Sequence, residues 1–156
     1  MNKYMEKITK TNYRQIEYGK LLGKDFSGLS VRVASAILRE SIEKDFNNKE
    51  LKSVTKKQIE FGRIFEIDLS NLSSLVASAY IKDILEALNL ISIEEQNIQK
   101  GDYVINKYDK SKIEYIVSSI NKEGYLYFKK SVDEKVGYNA GGAARYMIKL
   151  KNNTWL

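Results

Sequence analysis

Apolar residues recur at helical spacing over the first 95 positions and at strand spacing after about position 97. Ile16, Gly19 and Leu22 stand three apart, as do Ile59, Gly62 and Phe65, which puts each set on one helix face. A short polar connector follows each set, Asp25 to Gly28 and Asp68 to Asn71. Beyond the connectors lie two more apolar stretches. Val33, Ala34, Ile37 and Ile42 are expected to point inward from the first, and Val76, Ala77, Ile81 and Leu85 from the second. Each stretch predicts a helix of about twelve residues, with Ser30 and Ser73 as N-caps that accept an otherwise unpaired backbone N–H. Thr11 and Thr55 are expected to cap the first helices, although they sit one register apart.

These two helical hairpins are related by sequence. With an offset of 43, Gln15-Ile16-Glu17-Tyr18-Gly19 aligns with Gln58-Ile59-Glu60-Phe61-Gly62, and Val33-Ala34-Ser35-Ala36 aligns with Val76-Ala77-Ser78-Ala79. Asp25, Ser27, Leu29 and Ser30 align with Asp68, Ser70, Leu72 and Ser73, so 12 of 28 positions are identical without a gap. The reading is a duplicated hairpin, with copies at about 11–42 and 55–88 in a helical domain over 1–95. Gly19 and Gly62 each cost about 1 kcal/mol of helix propensity against Ala. Their recurrence predicts a close helix crossing against the small Ala-Ser-Ala steps at 34–36 and 77–79. The two hairpins, joined by the polar stretch Lys44 to Ser53, are expected to pack about a pseudo-twofold axis.

A basic β domain is expected over 98–156. Lys100 to Ile105, Ile113 to Ile120, Tyr125 to Phe128 and Tyr146 to Leu150 read as short strands rich in β-branched and aromatic residues. Asn121 to Gly124 reads as a hairpin turn. Together they predict an α+β chain: a four-helix duplicated hairpin, then a small β-barrel or bent antiparallel sheet.

Composition narrows the chemistry. The chain has neither Cys nor His, which excludes disulfides, zinc held by Cys or His, and Ser-His or Cys-His relays. No apolar run has the roughly 18 residues of a membrane span, and Met1 to Lys10 lacks a signal-peptide core. A cytoplasmic protein of a bacterial host is the expectation, without membrane or cofactor. The frequent Lys, Ile and Asn suit an AT-rich genome such as a phage or mobile element.

Charge is uneven. Residues 96–156 hold 11 basic and 6 acidic side chains, against 15 and 14 in residues 1–95. They also hold seven of the eleven tyrosines. Cations interleaved with rings suit single-stranded nucleic acid, because Lys and Arg track phosphates while rings stack on bases. Lys129, Lys130, Arg145 and Lys149 are the candidate phosphate contacts, and Tyr125, Tyr127 and Tyr138 the candidate stacking residues. Arg14, Lys56, Lys57 and Arg63 on the helices form a second candidate surface. The competing reading makes the tyrosines ordinary sheet residues and the lysines solubilising ones.

Other chemistry is weaker. Gly137 to Arg145 offers backbone N–H groups to an anion but lacks the Gly-Lys-Ser/Thr ending of a P-loop. Asp68 with Asp83, and Asp133 with Glu134, have no metal-site spacing and read as solvated surface charge. No catalytic residue or metal ligand is expected, and the protein is read as a binding protein.

The pattern T-x-K-Q-I-x-F-G, carried by Thr55, Lys57, Gln58, Ile59, Phe61 and Gly62, then D-x-S-x-L-S and V-A-S-A, resembles a helical module of phage and mobile-element proteins. Copy one departs from it at Arg14, where the pattern has Lys. The helix–connector–helix layout is similar to that of SAP motifs, though the residues match poorly. Lys100 to Phe128, with its Gly-Asp-x-Val opening and the turn at Gly124, resembles an SH3-like or KOW-like barrel. In size and composition the chain is similar to anti-CRISPR inhibitors. These resemblances imply nucleic acid or a nucleic-acid-binding protein as partner: an accessory protein, or an inhibitor of a host defence nuclease whose Tyr and Arg anchor an interface.

Overall fold

The computed structural model describes residues 5–129 and 141–151, in two compact units, 1–85 and 86–156. The first unit begins with a 3₁₀ turn, Met5–Lys7, then α1 (Tyr13–Leu21), α2 (Val31–Asp45), α3 (Lys56–Ile64) and the start of α4 (Ser74–Gln96). The remainder of α4 opens the second unit, which continues with β1 (Tyr103–Asn106), β2 (Glu114–Ile120), β3 (Tyr125–Phe128), β4 (Gly141–Ala143) and β5 (Met147–Lys149). The chain is α+β. Both second helices exceed the dozen residues expected, α2 with 15 and α4 with 23. No Gly or Pro interrupts Glu86 to Gln96, so the helix continues past the end of the repeat. No described helix is long and apolar enough to cross a membrane.

The first unit repeats its hydrogen bonds at the 43-residue offset. Asn12 and Thr55 are the N-caps of α1 and α3, and each forms a capping box with the Gln three residues on. Thr11 therefore does not cap α1. Its hydroxyl donates to the Phe26 carbonyl, and the extended backbone at Asn12 brings the carboxamide oxygen to the Gln15 N–H. Gln15 Nε2 reaches across to the Val31 carbonyl and Ser35 Oγ, and Gln58 Nε2 to the Ser74 carbonyl and Ser78 Oγ. In the connectors, Asp25 accepts from the N–H and hydroxyl of Ser27, and Asp68 from those of Ser70. Ser30 and Ser73 accept from the N–H groups of Val33 and Val76, as expected of N-caps.

The paired glycines face a neighbour other than the one expected. A Cβ at Gly19 would stand 2.7 Å from the Phe26 ring, and one at Gly62 2.7 Å from Leu69 Cδ1. Each glycine therefore makes room for the connector residue that plugs its own hairpin, not for an Ala-Ser-Ala step. Phe26 and Leu69 are almost wholly buried. The small steps serve elsewhere: Val33, Ala36, Val76 and Ala79 form a core cluster, flanked by Leu29, Ile37, Leu72, Leu75 and Tyr80. Ile42, expected inside, and Leu22, expected on one helix face with Ile16 and Gly19, are half-exposed. Ile42 lies in the last turn of α2, and Leu22 is the C-cap of α1; both stand outside this cluster.

In the second unit the sheet order is β4-β3-β2-β1-β5, all antiparallel. The sheet is open, with β4 and β5 as its edges, so a closed barrel is not formed. Val104, Val117, Leu126, Phe128 and Met147 point to one face and form the core with Ile98 and Ala144. The helical part of this unit binds the segment before β5 through side chains on one face. Ser92 Oγ donates to the Ala144 carbonyl, and Gln96 Nε2 to that of Met147. Asn89 accepts from the Arg145 N–H and donates to the Glu123 carbonyl. A Cβ at Gly124 would collide with Asn89, and its φ of +81° also favours glycine.

Candidate nucleic-acid interface

The alternation Tyr125-Leu126-Tyr127-Phe128 decides which residues the sheet offers. Successive strand residues point to opposite faces, and burying Leu126 and Phe128 turns both tyrosines outward. Tyr125 is 37% exposed and Tyr127 42%, with ring centroids 5.2 Å apart. Their partners on β4 are Ala143 and Gly141. A Cβ at Gly141 would stand 2.7 Å from Tyr125 Cε1, so the ring lies over the glycine. On the other side Tyr127 pairs with the exposed Ser119. Exposed Lys129 follows two positions beyond Tyr127. The same outward face carries Tyr103, opposite Ile116, and Ile148, opposite Ile105; Tyr103 and Ile148 are exposed.

The other candidates of this unit are placed differently. Arg145 is held by its neighbours: Nη1 donates to Asn89 Oδ1, Nη2 to the Tyr146 hydroxyl, and the guanidinium lies 4.4 Å from the Tyr146 ring centroid. Lys149 Nζ pairs with Asp102 at 3.1 Å and donates to the Asn97 carbonyl at 2.9 Å. Both cations tie the fold together as well as adding charge. Lys130 and Tyr138 lie outside the described residues, as do Asp133 and Glu134.

One aromatic cluster escaped the sequence reading. Tyr108 and Tyr146 meet edge to face at 5.7 Å, with Lys107 Nζ 5.5 Å from the Tyr108 ring centroid. Tyr108 is 71% exposed. The Lys107 N–H bonds the Tyr146 carbonyl, and this link between the end of β1 and the start of β5 brings the rings together. The signal was the Lys-Tyr and Arg-Tyr pairs at 107–108 and 145–146, whose meeting depends on strand register.

On the first unit Arg14, Lys56, Lys57 and Arg63 are all exposed. Arg14 and Lys57 hold equivalent positions on α1 and α3. Arg63 borders an open groove of about 400 Å³ with Glu66 and Asp68.

One acidic reading changes, and the other holds: Asp68 is exposed. Asp83 is buried rather than solvated. It accepts from the Ser30 hydroxyl and pairs with Arg32 at 2.7 Å. Burial raises its pKa above the ordinary carboxyl value, against the opposing pull of Ser30, Arg32 and Lys10. Asp68 is committed to its connector turn, and the bonds from Ser70 hold its pKa below the ordinary value. Among the described residues no three Asp or Glu side chains gather as a metal site.

No known protein family matches the chain, and neither the curated proteins nor the solved structures include a match.

Proposed function

We propose that the protein binds single-stranded nucleic acid through the outward face of its sheet. The observation that carries this reading is the adjacent exposed pair Tyr125 and Tyr127, lying beside Gly141 and Ala143 on an open sheet. Two outward residues on one strand stand about 6.6 Å apart, so consecutive rings give consecutive bases a stacking surface. The Tyr125 ring rests over Gly141, and the small neighbours leave both rings partly exposed. Lys129 continues the row and supplies a cation for phosphate, with the excess positive charge of residues 96–156 behind it. Tyr108 and Tyr146 add a second pair of rings. The stacking face does not depend on the SH3-like resemblance. We also infer that the two helix pairs are copies of one duplicated unit, because caps, connectors and cross-helix bonds recur at one offset. The chain on this reading is a non-enzymatic accessory protein of a phage or mobile element.

The test is binding of a single-stranded oligonucleotide across a salt series, with melting temperature as control. Affinity should fall as salt rises, since counterion release drives the association. Tyr125→Ala and Tyr127→Ala should each weaken binding about tenfold, given the ~1–3 kcal/mol of stacking per base. Variants that melt like wild type and bind unchanged would refute the stacking face. The charge would then serve a protein partner, as in the inhibitor reading.

A further inference from the structure

The first unit holds a groove between α2 and α4 whose walls are related by the repeat. Ser35, Ala36 and Arg39 line it from α2, and Ser78, Ala79 and Lys82 from α4. These are three equivalent pairs at the 43-residue offset, so the groove lies where the two copies meet. Its volume is about 250 Å³. The alanines belong to the core cluster and keep the floor shallow. Arg39 and Lys82 are exposed, and among the described residues neither forms an ion pair. Arg32 closes one end and is held by Asp83. Among the described residues no carboxylate lines the groove.

The hydroxyls are the second observation. Ser35 Oγ accepts from Gln15 Nε2 at 3.3 Å, and Ser78 Oγ from Gln58 Nε2 at 3.0 Å. Among the described residues each hydroxyl is an acceptor in its one hydrogen bond, which leaves its own proton to donate. Each capping-box glutamine thus fixes a hydroxyl at the groove wall. We propose that this groove binds a phosphate group, with Arg39 and Lys82 supplying charge and Ser35 and Ser78 supplying O–H donors from opposite walls. A tetrahedral anion presents oxygens toward both walls at once, whereas a planar carboxylate presents two in one plane. Arginine's fork and lysine's point charge both suit phosphate. The phosphate can belong to a free nucleotide or to a polynucleotide backbone. This site lies in the first unit and is independent of the tyrosine face.

The experiment is a titration of the full chain with inorganic phosphate, following backbone amide shifts. The amides of Ser35, Ser78 and their neighbours should move in a saturable way. Arg39→Gln with Lys82→Gln should weaken binding at least tenfold at unchanged melting temperature. The control, Lys24→Gln with Lys44→Gln, removes equal charge from exposed positions of the same unit outside the groove and should leave binding within twofold. Wild type that shows no saturable shift, or a control that weakens binding as much as the groove variant, overturns the proposal. Competition identifies the source: displacement by an oligonucleotide but not by a mononucleotide assigns the phosphate to a polynucleotide chain, and the reverse to a free nucleotide. Repeating the titration on Tyr125→Ala with Tyr127→Ala should change nothing, so failure of either site is read separately.

Discussion

The pair α1–α2 and the pair α3–α4 share their local bonds but differ in one buried contact. Capping boxes, glutamine bridges, Asp-x-Ser connectors and serine caps recur in both. The contact of Asp83 with Ser30 and Arg32 occurs once. Its counterpart would join Glu40 to Ser73 and position 75. Position 75 is leucine, which cannot pair, and Glu40 is partly exposed. Among the described residues, the contact between the two hairpins is therefore polar and buried on one side and has no counterpart at the 43-residue offset on the other.

Asp83→Ala should therefore give the largest effect, and Glu40→Ala almost none. Truncating Asp83 leaves Ser30 without its acceptor and Arg32 without its carboxylate. Breaking a buried pair from one side costs about 3 kcal/mol. Chemical denaturation of both variants measures the contrast, and equal losses would show that the asymmetry has no energetic content. A pH series sharpens it. Burial raises the folded pKa of Asp83 above the unfolded value near 3.8, so its carboxyl contributes most while protonated. That contribution is full below the unfolded value and is lost as pH rises through the folded one. Relative to Asp83→Asn, which stays neutral, wild type should lose stability with rising pH across that window. A relative gain would mean that the ion pair with Arg32 outweighs burial.

The glycines come next. A methyl group at Gly62 meets the Ile67 carbonyl oxygen at 2.8 Å as well as Leu69, whereas at Gly19 the nearest carbonyl is Lys24 at 3.0 Å. Backbone yields less readily than a ring edge. Overpacking of ~1–3 kcal/mol exceeds the ~1 kcal/mol regained in helix propensity. Gly62→Ala should destabilise by about 1.5 kcal/mol, and Gly19→Ala by less. Thermal melting checks the order, and stabilisation by either would show that the connector plug can retreat.

These comparisons also show what could be read in advance. The repeat, Ser30, Ser73, Thr55 and the strand alternation at Tyr125 to Phe128 were legible because they depend on neighbours in sequence. Asn12 was missed because Thr11 looks equally good as a cap, and only the 43-residue register distinguishes them. The setting of Asp83 was hidden, since an acid on a helix reads as solvent-facing until a serine 53 residues away is folded onto it. The full length of α4 was missed because Glu86 to Gln96 has no counterpart in copy one. Sheet closure depends on whether β4 meets β5, a non-local pairing that strand patterns leave open. Alternation puts Tyr125 and Tyr127 on one face of the strand but leaves open whether that face is buried, and the meeting of Tyr108 and Tyr146 depends on register between distant strands.

The glutamines test how closely the copies remain equivalent. Gln58 donates at 3.2 and 3.0 Å and accepts from the Thr55 N–H at 2.9 Å. Gln15 makes the same bonds at 3.4, 3.3 and 3.4 Å. Shorter bonds imply stronger ones, so Gln58→Ala should cost about 1 kcal/mol and Gln15→Ala roughly half that. Equal denaturant midpoints for the two variants would restore full equivalence.

The smallest expected effect is a titration. Asp25 and Asp68 are fully exposed, and each accepts two bonds from the serine two residues on, which favours the ionised form. Both pKa values lie below the ordinary value of 3.8. A lowered folded pKa means that the connectors contribute stability above the unfolded pKa and lose it as pH falls through the folded one. Asp109, which accepts the same two bonds from Ser111 in the second unit, supplies an internal standard with its pKa lowered in the same way. Carboxyl carbon shifts followed by NMR should therefore show all three aspartates titrating below an exposed reference carboxylate. Ser70→Ala should return Asp68 toward the ordinary value while leaving Asp25 in place. If Asp68 does not move, the serine bonds are not what holds it, and nearby Arg63, which also lowers its pKa, becomes the main cause. If Asp25 moves with it, the two connectors are coupled through the contact between the copies rather than built alike.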